Sequence, residues 1–313
     1  MKSTAFAPSQ KQTTAKPFLK WAGGKGQLLD EIERRLPAQL ITGEIDTYIE
    51  PFVGGGAVFF LLAQKYPSLK RFYLFDINQD LVNCYKVVKE SANALIQQLS
   101  KLEKQYMSLE QPKRRDLFLQ IRQKFNEEKL IQFNVSTAAK LIFLNKTCYN
   151  GLYRVNRKGE FNVPFGGYKN PNICDSDNLL AVSRLLKAVE IICADFEESE
   201  KYVDDHNFVY LDPPYRPLSA TASFTSYSKY DFTEQDQIRL AKFCERIATK
   251  GAKFLLSNSD PKNEDPNDCF FEHHYRGFTL EMVRAIRAIN CKASGRGAIN
   301  EILITDYSIE SVP

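Results

Sequence analysis

Residues Asp212-Pro213-Pro214-Tyr215 follow directly on the apolar run Phe208 to Leu211 and combine acceptors with a flat ring, while neither proline offers a backbone donor. Proline lacks an N–H and its ring restricts φ, so Pro213 and Pro214 present carbonyl oxygens over a narrow range of directions. With the Asp212 carboxylate added, two acceptors can converge on one NH2 group. Tyr215 supplies an aromatic face on which a heterocycle can stack, an interaction of roughly 1 to 3 kcal/mol per base. The chemistry that such a tetrad suits is the handling of a planar exocyclic amine. The plainer reading of the same four residues is a Pro-Pro turn closing a buried strand.

Two more groups point to a nucleoside. Glu50-Pro51-Phe52-Val53-Gly54-Gly55-Gly56-Ala57-Val58 reads as a strand end, a glycine-rich turn and a helix start, where glycine lets the backbone approach a ligand closely. Asp76 closes the next apolar run, the place from which an acidic side chain accepts hydrogen bonds from ribose hydroxyls in nucleotide-binding α/β folds. Three adjacent glycines are not the dinucleotide fingerprint, so an adenosine without pyrophosphate suits the segment better than a nicotinamide dinucleotide. Phe18-Leu19-Lys20-Trp21-Ala22-Gly23-Gly24-Lys25 brings a cation and an indole that can hold a carboxylate and a ring; it lacks the spacing and terminal Ser or Thr of a phosphate loop.

The elements that must position these groups show two textures. From Lys16 to Asp76 strand and helix signals alternate: a helix from about Gly26 to Leu36, a strand at Thr47 to Glu50, a helix after Gly56 and a strand at Phe72 to Phe75. From Leu81 onward apolar residues recur at helical spacing through Leu102, then at Leu117, Ile121 and Phe125, and at Leu141 and Leu144. Residues 147 to 171 turn rich in Asn, Gly, Pro and Tyr, and Arg157-Lys158-Gly159-Glu160 between two short runs predicts a hairpin. Strand signals return at Glu190 to Cys193, Phe208 to Leu211 and Lys253 to Leu256, with a helix from Glu234 capped by Thr233 and Asp236. Glu301 to Thr305 predicts an edge or near-edge strand.

A chain of 313 residues accommodates one large α/β domain, or one carrying an insertion. No run approaches the ~18 apolar residues of a membrane span. Seven cysteines without a Cys-x-x-Cys pair, and only three histidines, argue against a disulfide framework or a metal site and fit a reducing cytoplasm. Residues 1–16 are expected to form a disordered tail. The net charge of +4 divides unevenly: residues 79–174 hold 16 Lys and Arg against 8 Asp and Glu, a net +8, leaving −4 for the rest. A segment of that sign suits a phosphate backbone, although a solvated helical surface would carry the same excess.

The motifs Lys20 to Lys25, Glu50 to Gly54, Asp76-Ile77-Asn78, Tyr149-Asn150-Gly151-Leu152, Gly159 to Gly166 and Asp212 to Thr221 occur in one order along the chain. In them the sequence resembles the Dam-type, S-adenosylmethionine-dependent DNA adenine-N6 methyltransferases of the D12 class. The resemblance implies an α/β fold with a Rossmann-like class I methyltransferase mixed sheet. Residues 17–78 and 175–313 would form the catalytic domain, and 79–174 a helical plus β-hairpin target-recognition insert, the same division as the charge split. It further implies that Trp21, Lys25, Phe52, Gly54, Asp76 and Asp212 line the S-adenosylmethionine pocket. Asp212 and Pro213, with Pro214 and Tyr215, would hold an adenine turned out of double-stranded DNA. Lys20, Tyr149, Asn150, Leu152, Arg154 and Pro164 would contact the duplex, at GATC in this subgroup, with Arg154 suited to guanine O6 and N7. The implied enzyme is cytoplasmic, bacterial or phage-encoded, associated with the nucleoid, and needs no metal; its oligomeric state stays open.

The wording of Met282 to Asn300 departs from the family, with Ala285, Ile286 and Ala288 in place of more polar residues. No Pro-Cys dipeptide is present, which removes the nucleophile of a cytosine C5 methyltransferase. An N4-cytosine or RNA amino-methyltransferase would share the amine chemistry, and a DNA-binding regulator without catalysis would share the fold.

Overall fold

The computed structural model describes residues 13–216, 232–286 and 298–309. After a 3-10 turn at Lys25–Gln27 come α1 (Leu29–Glu33), α2 (Ala38–Thr42), β1 (Thr47–Glu50), α3 (Ala57–Lys65) and β2 (Arg71–Asp76). Next are α4 (Gln79–Met107), α5 (Gln111–Glu128), α6 (Val135–Thr147), α7 (Ser176–Leu186), β3 (Val189–Cys193) and β4 (Asn207–Leu211). The chain continues through α8 (Glu234–Thr249), β5 (Lys253–Ser259), α9 (Phe270–His274), β6 (Thr279–Ile286) and β7 (Ala298–Thr305).

The strands pair as one sheet in the order β3-β2-β1-β4-β5-β7-β6. Its first five strands are parallel, and β7 runs antiparallel to both β5 and β6. This is the Rossmann-like mixed sheet that the resemblance implies. β1 and β4 are buried throughout, as strands covered on both faces must be. Alternate residues feed two apolar layers: Tyr48, Phe72, Phe208 and Tyr210 face one, and Ile49, Phe75, Val209 and Leu211 the other. Strand order reverses between β1 and β4, and in open α/β sheets a crevice opens beyond the carboxyl ends at such a point. Glu50 ends β1 and Leu211 ends β4, so the Glu50 to Val58 and Asp212 to Tyr215 segments meet there.

Between β2 and β3 the chain builds α4, α5, α6 and α7. The periodic run from Leu81 to Leu102 is one helix of 29 residues that kinks at Ser91 (φ −136°, ψ 34°). The first layer of core residues runs unbroken from the sheet into these helices, through Leu81, Leu95, Phe118, Phe125, Ile142 and Phe161. The turn at 156–159 is present: the Asn156 amide donates to the Glu160 carbonyl at 2.9 Å, and Gly159 takes φ +78°. Val155 and Phe161 bridge antiparallel, as do Cys148 and Phe165.

Two local expectations need revision, and one strand was not foreseen. The helix expected over 26–36 is a 3-10 turn followed by the five-residue α1, because Leu28 (φ −102°, ψ 0°) stands between them; α2 starts afresh after Pro37. Glu301 to Thr305 is second from the edge, the near-edge place expected for it, and the edge itself is β6, for which no strand was expected. Ala15 and Lys16, expected in the tail, are tied to the body: the Ala15 amide donates to Gln64 Oε1 at 2.8 Å and the Lys16 amide to Asn178 Oδ1 at 3.0 Å. Residues 1–12, the Pro217 to Thr221 part of the last motif, and Ala288 lie outside the described residues, as do the side chains of Ala285 and Ile286. Among the described residues no helix is long and apolar enough to cross a membrane.

Candidate active site

Beyond β4, Asp212 is held by one oxygen. Lys25 Nζ lies 2.9 Å from its Oδ1, and Ser257 Oγ on neighbouring β5 donates to the same atom at 3.3 Å. Among the described residues no donor reaches Oδ2, and the side chain is 19% exposed, so the second oxygen is open at the rim of the crevice. Burial and then the Glu301 charge push the Asp212 carboxyl up, against Lys25 and Ser257, and the net direction is upward.

Lys25 is almost fully buried, yet charged. Burial opposes its charge, but Asp212, Tyr215, Tyr210 and Glu301 outweigh it and hold its pKa well above the ordinary lysine value. The ammonium donates to Tyr215 Oη at 2.6 Å, Tyr215 donates onward to Glu301 Oε1 at 2.9 Å, and Glu301 Oε2 lies 3.6 Å from Lys25. Tyr215 is thereby fixed at its hydroxyl. Glu301 Oε2 is buried without a hydrogen bond from any of the described residues.

The two prolines play different parts. Gln237 Nε2, on the first turn of α8, donates to the Pro214 carbonyl at 2.8 Å. That turn is set by the expected capping box, in which the Asp236 amide donates to Thr233 Oγ1 at 3.3 Å and the Thr233 amide to Asp236 Oδ2 at 2.9 Å. The Pro213 carbonyl has no such partner among the described residues. Of the two proline acceptors, it is the one left for a ligand.

Around β1 and β2 a second cavity wall forms. Asp76 Oδ2 accepts from the Gly54 amide at 3.1 Å and Oδ1 from the Asn78 amide at 2.9 Å. Burial nevertheless pushes its carboxyl up to about 6. Gly54 takes φ +48°, and a Cβ there would meet Trp21 Cδ1 at 3.0 Å, so glycine is what lets the indole close over this loop. Phe52 stacks on Phe196 with centroids 5.4 Å apart. Glu50 is fully buried; burial drives its carboxyl well above the ordinary range against the bond from Tyr48 Oη at 3.0 Å.

The residues expected to touch the duplex also gather. Asn145 Oδ1 accepts from the Lys20 amide at 2.9 Å, while its Nδ2 donates to the carbonyls of Lys20 and Gly151, both at 2.9 Å. Lys20 is thus knitted to the Tyr149 to Leu152 segment, and the Tyr149 amide donates to the Pro164 carbonyl at 2.9 Å. Asn150 sits in the left-handed region (φ 55°), and its amide donates to Tyr168 Oη at 3.0 Å. Tyr149 is 50% exposed. Arg154, also exposed, donates through Nε to Asn162 Oδ1 at 2.8 Å and through Nη2 to the Asn162 carbonyl at 3.4 Å, which ties the guanidinium to the opposite arm of the hairpin.

Sequence reasoning missed Glu301, Ser257, Gln237, Asn145 and Tyr153. Glu301 carried a signal, a lone acid at the head of an apolar strand. The others did not, because their roles come from partners far away in the chain.

Comparison with known proteins identifies the family. Residues 21–289 match the D12 class N6 adenine-specific DNA methyltransferase family. The chain is 55% identical over 293 residues to Type II methyltransferase M.MjaIII of Methanocaldococcus jannaschii, covering 93% of this chain and 99% of that protein. It is 35% identical over 286 residues to the DNA adenine methylase of Escherichia coli K12, covering 91% and 93%. To Type II methyltransferase M1.LlaDCHI of Lactococcus lactis it is 36% identical over 295 residues, covering 93% and 95%. With its sheet order, its Asp-Pro-Pro-Tyr end on β4 and these relatives, the chain belongs to the D12 class of N6 adenine-specific DNA methyltransferases.

Proposed function

We propose that the protein transfers a methyl group from S-adenosylmethionine to N6 of an adenine flipped out of double-stranded DNA, within GATC. Residues 17–78 and 175–313 serve as the catalytic part and 79–174 as the target-recognition part. The observation that carries this reading is the division of labour at Asp212: Oδ1 is tied down by Lys25 and Ser257, while Oδ2 and the Pro213 carbonyl stay available as a pair of acceptors.

Those two acceptors would take the two N6 hydrogens. The N6 lone pair is delocalised into the purine, and acceptors placed off the ring plane favour the pyramidal amine that can act as a nucleophile. When bound, the donor supplies an electrophilic methyl on a positively charged sulfur. Asp212 then stabilises the positive charge that grows on nitrogen, because its carboxylate is already oriented before reaction. Tyr215, pinned by Lys25 and Glu301, offers its ring to the flipped base.

The donor fits the other wall. Asp76 has both oxygens at the end of β2, each taking one backbone amide and each retaining acceptor capacity for a ribose hydroxyl. Trp21 and Phe52 provide rings beside it. Lys20, Tyr149, Asn150, Leu152, Arg154 and Pro164 form one face for the duplex, with Arg154 directed at guanine and Tyr149 at the gap left by the flipped base.

Incubating unmethylated plasmid with the protein and S-adenosylmethionine, then digesting with one nuclease that requires methylated GATC and one that methylation blocks, tests the site. Cleavage by the first and protection from the second are expected. Methylated nucleoside other than N6-methyladenine on mass spectrometry would overturn the substrate.

Asp76 makes donor binding sensitive to acid. If the carboxylate form binds the ribose, affinity should fall about tenfold between pH 7 and pH 5, as pH passes below the folded pKa of about 6. Titration calorimetry with S-adenosylhomocysteine measures this, and Asp76→Asn should bind weakly at both pH values. The folding consequence has the opposite sign to an ion-paired aspartate. The folded pKa lies above the ordinary 3.8, so Asp76 costs stability above about pH 6 and costs nothing below about pH 4. Asp76→Asn removes that penalty at pH 7 but sets an NH2 group against one of the two backbone amides that Asp76 accepts from, which offsets the gain.

A further inference from the structure

Tyr153 and Trp21 stack with ring centroids 5.0 Å apart and planes inclined by 24°. The pair joins two segments with separate tasks. Trp21, the single tryptophan of the chain, packs over Gly54, whose amide holds Asp76. Tyr153 lies between Leu152 and Arg154 in an extended segment, where successive side chains point to opposite sides. Burial follows that alternation: Tyr153 and Val155 are buried and Arg154 is exposed. Whatever pins Leu152 and Arg154 from outside also sets the position of the ring behind them.

The ring is anchored at its far end as well. Tyr153 Oη donates to Asp80 Oδ2 at 2.6 Å, and Lys129 Nζ, from just beyond α5, pairs with the same oxygen at 2.6 Å. Asp80 and Lys129 are 6% and 10% exposed, so this is a charge-assisted anchor shielded from water. Held at its hydroxyl and stacked on its face, Tyr153 cannot shift without disturbing Trp21, since close-packed interiors transmit displacement rather than absorb it.

We propose that Tyr153 is a positioning residue that couples duplex recognition to donor binding, transmitting the placement of the Leu152 to Arg154 segment to the indole over the donor pocket. The inference rests on the assignment of donor and duplex faces made above. Thermodynamic linkage makes the coupling reciprocal: a duplex that seats this segment tightens the donor site, and the donor tightens the duplex by the same factor.

Trp21 fluorescence reads the pocket directly. The full chain is titrated with S-adenosylhomocysteine, an unreactive form of the donor, with and without a duplex that the parent protein methylates. The parent should bind it about fivefold or more tightly in the presence of duplex. Tyr153→Leu removes the ring and should bring that ratio close to one. Tyr153→Phe keeps the ring but loses the Asp80 bond and should fall between. A purely structural role would lower stability without moving the ratio.

A ratio near one in the parent, or a parent-like ratio in both variants, overturns the proposal. Should Tyr153→Leu fail to fold, Tyr153→Phe decides alone, a reduced ratio supporting the coupling and an unchanged one refuting it. Failure of the parent itself to bind the nucleoside or to methylate DNA would strike the site assignment, a result distinct from lost coupling in a protein that does both.

Discussion

Asp212→Ala is expected to lose methyl transfer by about a thousandfold or more while binding duplex DNA as the parent does. The substitution removes the open Oδ2 acceptor and the negative charge that faces the nitrogen as it becomes positive. The duplex face proposed on Lys20, Tyr149 and Arg154 shares no hydrogen bond with Asp212 among the described residues. Lys25 keeps Tyr215 and Glu301 as partners, so the fold should survive. Single-turnover transfer of a radiolabelled methyl group measures the first quantity and fluorescence anisotropy of a labelled duplex the second. An Asp212→Ala protein with parent-like turnover would end the mechanistic reading. Asp212→Asn makes a sharper comparison. It retains one acceptor oxygen but places an NH2 donor beside Lys25 and carries no charge, so it should also be severely impaired.

The second large effect belongs to Lys25. Its ammonium is buried between Asp212 at 2.9 Å and Glu301 at 3.6 Å. Because its folded pKa lies well above the ordinary 10.5, its contribution to stability is fully present below that value and is lost only as pH rises through the folded pKa. At neutral pH the whole contribution is in force. Lys25→Met leaves two carboxyl groups facing one another without a cation, and breaking a buried pair in this way costs about 3 to 5 kcal/mol.

The pH dependence identifies the cause. Without the lysine, one of the two carboxyl groups must take a proton in the folded state, which raises its folded pKa above the unfolded value. The resulting penalty is fully present above that raised pKa and fades as pH falls below it, so the deficit of Lys25→Met against the parent should narrow from pH 8 to pH 5. Urea unfolding at the two pH values checks this. A deficit independent of pH would mean that Lys25 contributes packing rather than charge. Methyl transfer at pH 8 should fall too, because Asp212 would lose the orientation that Lys25 imposes on Oδ1.

Much of the molecule was legible along the chain. The strands at Thr47, Phe72, Phe208 and Lys253, the capping box at Thr233 and Asp236, and the turn before Gly159 are written in local patterns: apolar runs, cap residues, a glycine that must take positive φ. Such signals act over a few residues, so the sequence shows them directly. The helix expected over 26–36 failed for a related reason. Apolar spacing sees which residues can share a face, but not that Leu28 interrupts the helical turn or that Pro37 begins a new one. The acceptor chemistry of Asp212 and Pro213 was equally local, since a proline lacks its donor wherever it stands.

What the tertiary structure alone decided is which acceptors stay free. Gln237 takes the Pro214 carbonyl and leaves that of Pro213; Lys25 and Ser257 take Asp212 Oδ1 and leave Oδ2. Lys25 and Tyr215 lie 190 positions apart, and Tyr215 and Glu301 a further 86, so their meeting depends on strand order and not on any pattern in the chain. The same holds for Tyr153 against Trp21. Residue types determine what chemistry is available, whereas the non-local hydrogen bonds of the sheet determine which atoms remain to perform it.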